Sequence, residues 1–131
     1  MVKTARAIKT VPRTASEALT EAIINGLQDK KGKEIVCLDL SAIHGAVADV
    51  FIVCTGDSTT HTDALARSVE DVVLKQIGEL PAHIEGKNNA QWVLLDYINI
   101  VVHIFLAEQR DYFGIERLWA DAETRKIEAN Y

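Results

Sequence analysis

Gln91-Trp92-Val93-Leu94-Leu95-Asp96 and Val101-Val102-His103-Ile104-Phe105 decide how this chain folds. Both segments are strand-length and rich in β-branched and aromatic residues, so they read as the two arms of a hairpin. Glu85-Gly86-Lys87 precedes them. Glu108-Gln109-Arg110 and the aromatic-rich run Tyr112-Phe113-Gly114-Ile115-Glu116-Arg117-Leu118-Trp119 follow. No nucleophile–base spacing, phosphate loop or metal-ligand cluster lies in this stretch. It is built to present a surface.

Side chains alternate across a strand, so the hairpin sorts its residues onto two faces. With Tyr97-Ile98 as a two-residue turn, Asp96 faces Asn99, Leu94 faces Val101 and Trp92 faces His103. One face then carries Val93, Leu95, Ile100, Val102, Ile104 and Leu106, all aliphatic, and packs against helices. The other carries Trp92, Leu94, Asp96, Asn99, Val101, His103 and Phe105. A mixed face of this kind fits a sheet covered on one side, its open side used for binding. Trp is often buried, and the competing reading puts Trp92 and Phe105 in a second small core under the C-terminal segment.

Outward from the hairpin, Thr14-Ala15-Ser16-Glu17 fits a capping box. Leu19, Ala22, Ile23, Gly26 and Leu27 recur at helical spacing, and Lys30-Lys31-Gly32 closes that helix, with Gly as the left-handed residue. Glu34 to Leu40 and Asp49 to Thr55 read as strands joined by a loop over Ser41 to Ala48. Gly56-Asp57-Ser58 turns into a second helix running to about Gly78, with Leu65, Val69, Val72, Val73 and Ile77 as its apolar stripe. Arg67–Asp71 and Asp71–Lys75 are one turn apart on its solvated face. Pro81 to Glu85 is extended, Lys87-Asn88-Asn89 a loop, and Ile115 to Trp119 a helical turn. The chain divides into a basic flexible tail over residues 1–13, one domain over 14–120 and a frayed polar tail over 121–131.

The 131 residues make one domain, and 48% hydrophobic content with 25% charged residues fits a packed core. No apolar run is long enough to span a membrane. Cys37 and Cys54 sit in apolar runs and read as buried free thiols of a reducing, cytoplasmic compartment. Lys3, Arg6, Lys9 and Arg13 give residues 1–13 a charge of +4 against −5 for the whole chain, leaving −9 on the rest. An acidic body repels phosphate backbone and suits a basic protein partner, with RNA contact limited to the basic tail.

Three constellations weigh little as chemistry. Gly56-Asp57-Ser58 before a helix is an anion-site geometry, but capping by Asp57 or Ser58 is the commoner use. Asp39 and Asp49 lie on separate strands without the paired carboxylates a magnesium–triphosphate site needs. Arg110 with Glu116 reads as a surface ion pair tying the C-terminal cap to the sheet, of small energetic value.

Glu85-Gly86, Trp92 with its apolar run to Asp96, Val102-His103, Arg110 and Leu118-Trp119 together resemble the ribosomal silencing factor, or Iojap-like, family. Asp39, Ala48-Asp49-Val50-Phe51-Ile52-Val53 and Thr55-Gly56-Asp57-Ser58 extend the likeness, which covers roughly Glu17 to Trp119. Two departures stand out: Ile98 where the family usually has Gly, and Tyr112-Phe113 where it has Phe-Tyr. The resemblance implies a non-enzymatic binding protein without cofactor or metal. Its fold would be a two-layer mixed α/β domain of about five strands, helices on one face, in an architecture similar to nucleotidyltransferases. It would dock on the large ribosomal subunit through ribosomal protein L-fourteen and sterically block the small subunit, repressing translation under nutrient limitation. Free family members are often homodimers. The residues expected to carry partner binding are Trp92, Leu94, Asp96 and His103, with Glu85 and Gly86 shaping the adjoining loop. The alternatives are a large-subunit assembly factor and a nucleotidyltransferase-like enzyme centred on Gly56-Asp57-Ser58.

Overall fold

A computed structural model describes residues 14–131; the basic tail expected over residues 1–13 lies outside the described residues. Helix α1, Ala15–Asp29, begins at the expected capping box: Thr14 accepts from the Glu17 N–H at 3.0 Å and donates its own N–H to Glu17 at 3.2 Å. It ends at Lys30, and the left-handed residue is Lys31, φ 58°, not Gly32. Gly32 is needed for space instead, because a Cβ there would meet the Cys54 sulfur and Leu65. Strands β1 (Lys33–Asp39) and β2 (Val50–Gly56) follow, then helix α2 (Thr59–Gln76), which Ser58 caps by accepting from the His61 N–H. On the solvated face of α2 Arg67 pairs back to Asp63 at 3.0 Å rather than forward to Asp71.

The second half supplies β3 (His83–Glu85), β4 (Trp92–Asp96) and β5 (Ile100–Leu106), a short helix α3 (Ala107–Phe113), the turn-length helix α4 (Ile115–Leu118) and strand β6 (Glu123–Lys126). The strands form one mixed sheet in the order β3-β4-β5-β2-β1-β6. Only β2 and β5 run parallel. The sheet therefore has six strands rather than about five. The extra one comes from the stretch expected to fray: β6 is fully exposed and polar, so no hydrophobic pattern marks it, yet it pairs antiparallel with β1 from Val36–Lys126 to Asp39–Glu123. Helix α3 is also an addition, a seven-residue piece too short for periodicity to reveal.

The hairpin register is offset by two from the one expected. Asp96 pairs with Val101, Leu94 with His103 and Trp92 with Phe105. The turn is longer, with the Tyr97 N–H donating to Ile100 and the Asn99 N–H to Tyr97. A shift of two preserves side-chain parity, so the division into two faces survives. Val93, Leu95, Ile100, Val102 and Ile104 pack with Leu19, Ile23, Leu27, Leu65, Val69 and Val73 of α1 and α2 in the main core. Ser68 stitches the two helices together by donating to the Gly26 carbonyl at 2.6 Å.

The other face is not open along its length. Val36, Leu38, Leu40, Phe51, Val53, Val101 and Phe105 form a second core with Ile115 and Ala122, flanked by Ile43, Ala46 and Trp119. The loop between β1 and β2 and helix α4 thus cover the β1–β2 half. The β3–β4 half is the part left accessible: Trp92 and Leu94 are half-buried, and Glu85 and Asp96 lie beside them. Phe105 belongs to the second core, as the competing reading had it, while Trp92 stands at its rim.

Candidate partner-binding face

Directly paired residues of neighbouring strands share a face. The pairings His83–Asp96 and Glu85–Leu94 therefore set His83, Glu85, Leu94, Asp96 and Trp92 on one surface. Ile84 between them turns the other way and packs against the main core. The exposed Glu85 carboxylate meets His83 Nε2 at 2.6 Å, and one Asp96 oxygen accepts the Ile98 N–H at 2.8 Å. Gly86 allows this corner: its φ is 87°, and a Cβ there would run into the Trp92 carbonyl.

Trp92 is fixed on three sides. Its ring stacks on Phe105 at 4.7 Å, meets Phe113 at 4.7 Å and donates its indole N–H to Nδ1 of His103 at 3.1 Å. Held this way, the indole presents its remaining surface without paying rotamer entropy on contact. His103 is 5% exposed, with the Phe51 ring edge-on at 4.7 Å. Because Nδ1 accepts from Trp92, the proton of the neutral ring sits on Nε2, which has no partner among the described residues. Burial pushes the His103 pKa down to about 4. The histidine is thus a neutral fixture that orients Trp92, not a group on the surface. Of the six expected residues, Trp92, Leu94, Asp96, Glu85 and Gly86 line the accessible half-face or its corner, and His103 lies beneath.

Residues of the C-terminal cap complete the surface. Tyr112 and Phe113 are 80% and 49% exposed, their rings edge-to-face at 5.1 Å, and Phe113 joins Trp92. The aromatic content of the cap is visible in sequence, but its position over β4 is not. Arg110 sets that position. Its guanidinium makes a two-pronged pair with Glu116 at 2.8 and 2.9 Å and donates to the Glu34 carbonyl and the Thr55 hydroxyl. Arg110 is only 12% exposed, so the pair is a partly buried clamp rather than the surface pair of small value expected. The Arg110 guanidinium also holds the Glu116 carboxyl below the usual carboxylate range.

The Gly56-Asp57-Ser58 turn is filled by its own chain. His61 Nδ1 accepts the Asp57 N–H at 2.9 Å, its Nε2 donates to the Lys30 carbonyl at 2.7 Å, and Lys33 pairs with Asp57 at 2.9 Å. Asp39 and Asp49 come to the same end of the antiparallel β1–β2 pair, where the Leu40 N–H donates to the Asp49 carbonyl at 2.8 Å, and Asp57 stands at the opposite end, about 20 Å away by strand rise. Cys37 and Cys54 are buried thiols, and burial pushes the Cys54 pKa up to about 12. Among the described residues no helix is long and apolar enough to cross a membrane.

A family model described as "Ribosomal silencing factor during starvation" matches residues 12–130. A ribosomal silencing factor of Halalkalibacterium halodurans is 34% identical over 114 residues, 87% of this chain and 96% of its own. A crystal structure of a Chromobacterium violaceum protein superimposes with a TM-score of 0.73 at 37% identity, covering 86% of this chain and 92% of that one. The mouse protein named for mitochondrial assembly of the ribosomal large subunit is 32% identical over 73 residues, 54% of this chain and 32% of its own.

Proposed function

Because this chain belongs to the ribosomal silencing factor family, we propose that it docks on the large ribosomal subunit through the β3–β4 half of its sheet and keeps the small subunit from joining. Translation would fall in proportion to occupancy, as suits nutrient limitation. The observation that carries this reading is the composition of that half-face: an oriented Trp92 and Leu94 at the centre, with Glu85 and Asp96 at the edge. An aromatic centre inside a polar rim is the usual anatomy of a protein–protein contact. Acidic edges on a body of net −9 favour a basic partner, and ribosomal protein L-fourteen is the one we name. A homodimer through the same half-face would compete with docking. Binding rather than chemistry is supported by the self-filled Gly56-Asp57-Ser58 turn and its distance along the strands from Asp39 and Asp49.

Sedimentation with purified subunits tests it. The chain should comigrate with the large subunit and lower the yield of joined particles stoichiometrically, consuming no nucleotide. Inhibition far below one copy per subunit would imply turnover and sink the proposal. A second reading, an assembly role, is favoured by the mouse relative's name. It predicts comigration with large-subunit precursors and normal joining at full occupancy.

A further inference from the structure

Three loops meet at the end of the sheet where β4 turns into β5. The Asp49 and Val50 N–H groups donate to the Asn99 carbonyl at 2.8 and 3.1 Å, and the Ala82 N–H donates to the Asp96 carbonyl at 2.8 Å. Each loop sends one aliphatic side chain outward: Val47, Leu80 and Ile98 are 79%, 69% and 63% exposed. Single exposed aliphatics are ordinary, but these three lie along one end of the sheet, with the Ile98 turn between the other two loops. Ile98 also holds φ 75°, a conformation costly for a β-branched residue, while most of its side chain stays in solvent.

With histidines neutral, the formal charges along this end of the sheet have one sign. Asp39, Asp49, Glu79 and Asp96 lie on these loops or the strand ends feeding them, and none forms an ion pair among the described residues. Residues 40–49, 77–82 and 96–100 hold no Lys or Arg; the nearest cation in sequence is Lys75, inside α2. Two hydrogen bonds from Ser41 keep the Asp39 carboxyl below its usual range, so it stays ionised. Phosphate backbone would be repelled here.

We propose that Val47, Leu80 and Ile98 form a second docking epitope for a basic protein surface. Asp96 is about 13 Å along β4 from Trp92, so one partner surface can cover the half-face and this loop end together. The epitope rests on the ribosomal reading above and extends its contact.

The test uses the full chain and salt-washed large ribosomal subunits as the probe. The triple variant Val47→Ser/Leu80→Ser/Ile98→Gly should raise the Kd roughly tenfold while its thermal midpoint stays level or rises, so misfolding cannot explain the loss. Asp49→Asn/Glu79→Gln should slow association at low salt and flatten its salt dependence. If the triple variant binds like the parent while Leu94→Ser is weakened, this epitope is wrong and the half-face reading survives. If neutralising the acids tightens binding, the contact is phosphate and the protein assignment is overturned. If the parent chain does not bind the subunit, the ribosomal reading and this inference fall together.

Discussion

The Trp92 indole N–H donates to Nδ1 of His103 at 3.1 Å, although the two residues sit diagonally across the β4–β5 pair rather than opposite one another. This bond places a donor-only group against a buried imidazole and thereby selects its neutral form. Protonating Nδ1 would set two N–H groups against each other.

The first prediction concerns pH. The folded pKa of His103 lies near 4, below its ordinary 6.5. Between those values the unfolded chain binds a proton that the fold does not, so stability falls as pH drops from about 6.5 and the loss is complete near 4. The full shift is worth about 3 kcal/mol. Urea unfolding of the parent and of His103→Gln across this window should show a much flatter pH slope for the variant. Equal slopes would assign the acid sensitivity elsewhere.

Ile98→Gly should stabilise the fold by about 1 kcal/mol. Relief of a positive-φ β-branched residue outweighs the added freedom of the unfolded chain. The Asp96 bond to the residue-98 N–H is kept, since it involves backbone only. A lower urea midpoint for the variant would mean that Ile98 makes contacts that repay its strain.

Arg110→Ala should cost about 2–3 kcal/mol, because it strands Glu116 and removes bonds to Glu34 and Thr55. Lysine cannot reproduce the two-pronged pair and should recover less than half of this. Hydrogen exchange should quicken selectively across residues 107–119. Uniform quickening over the whole sheet would contradict a local clamp.

Trp92→Ala should weaken large-subunit binding by about 2 kcal/mol and also lower stability, since the ring stacks on Phe105 and Phe113. Trp92→Phe separates the two effects: stacking is retained while the bond to His103 is lost. Asp96→Lys should slow association where salt is low. Binding unchanged in all three variants would remove the half-face from the interface.

The two strands, their division into an aliphatic and a mixed face, and the capped helices α1 and α2 are legible in the chain because they rest on local periodicity. Parity explains why the faces came through an incorrect register: an even slip leaves every side chain on its side. The register itself turned on Ile98, whose left-handed backbone lengthens the turn; its β-branched chemistry opposes that conformation, and the Gly that the family usually has at this place was the one sign of it. Trp92 was identified from composition, but its tie to a diagonal His103 depends on that register.

Alternation and periodicity along the sequence determined which residues face the helices and that Trp92 and Asp96 share the opposite face, and composition that the body is acidic; Glu85 joined that face only through its pairing with Leu94. Tertiary structure alone decided how much of that face stays accessible. The loop between β1 and β2 and helix α4 cover one half and leave Trp92 and Leu94 at the rim of the other. Arg110 joins β1, β2 and the C-terminal cap across as many as 76 residues. Strand β6 attaches through backbone hydrogen bonds, which any side-chain sequence can supply. Contacts between residues far apart in the chain carry no period, so only packing assigns them.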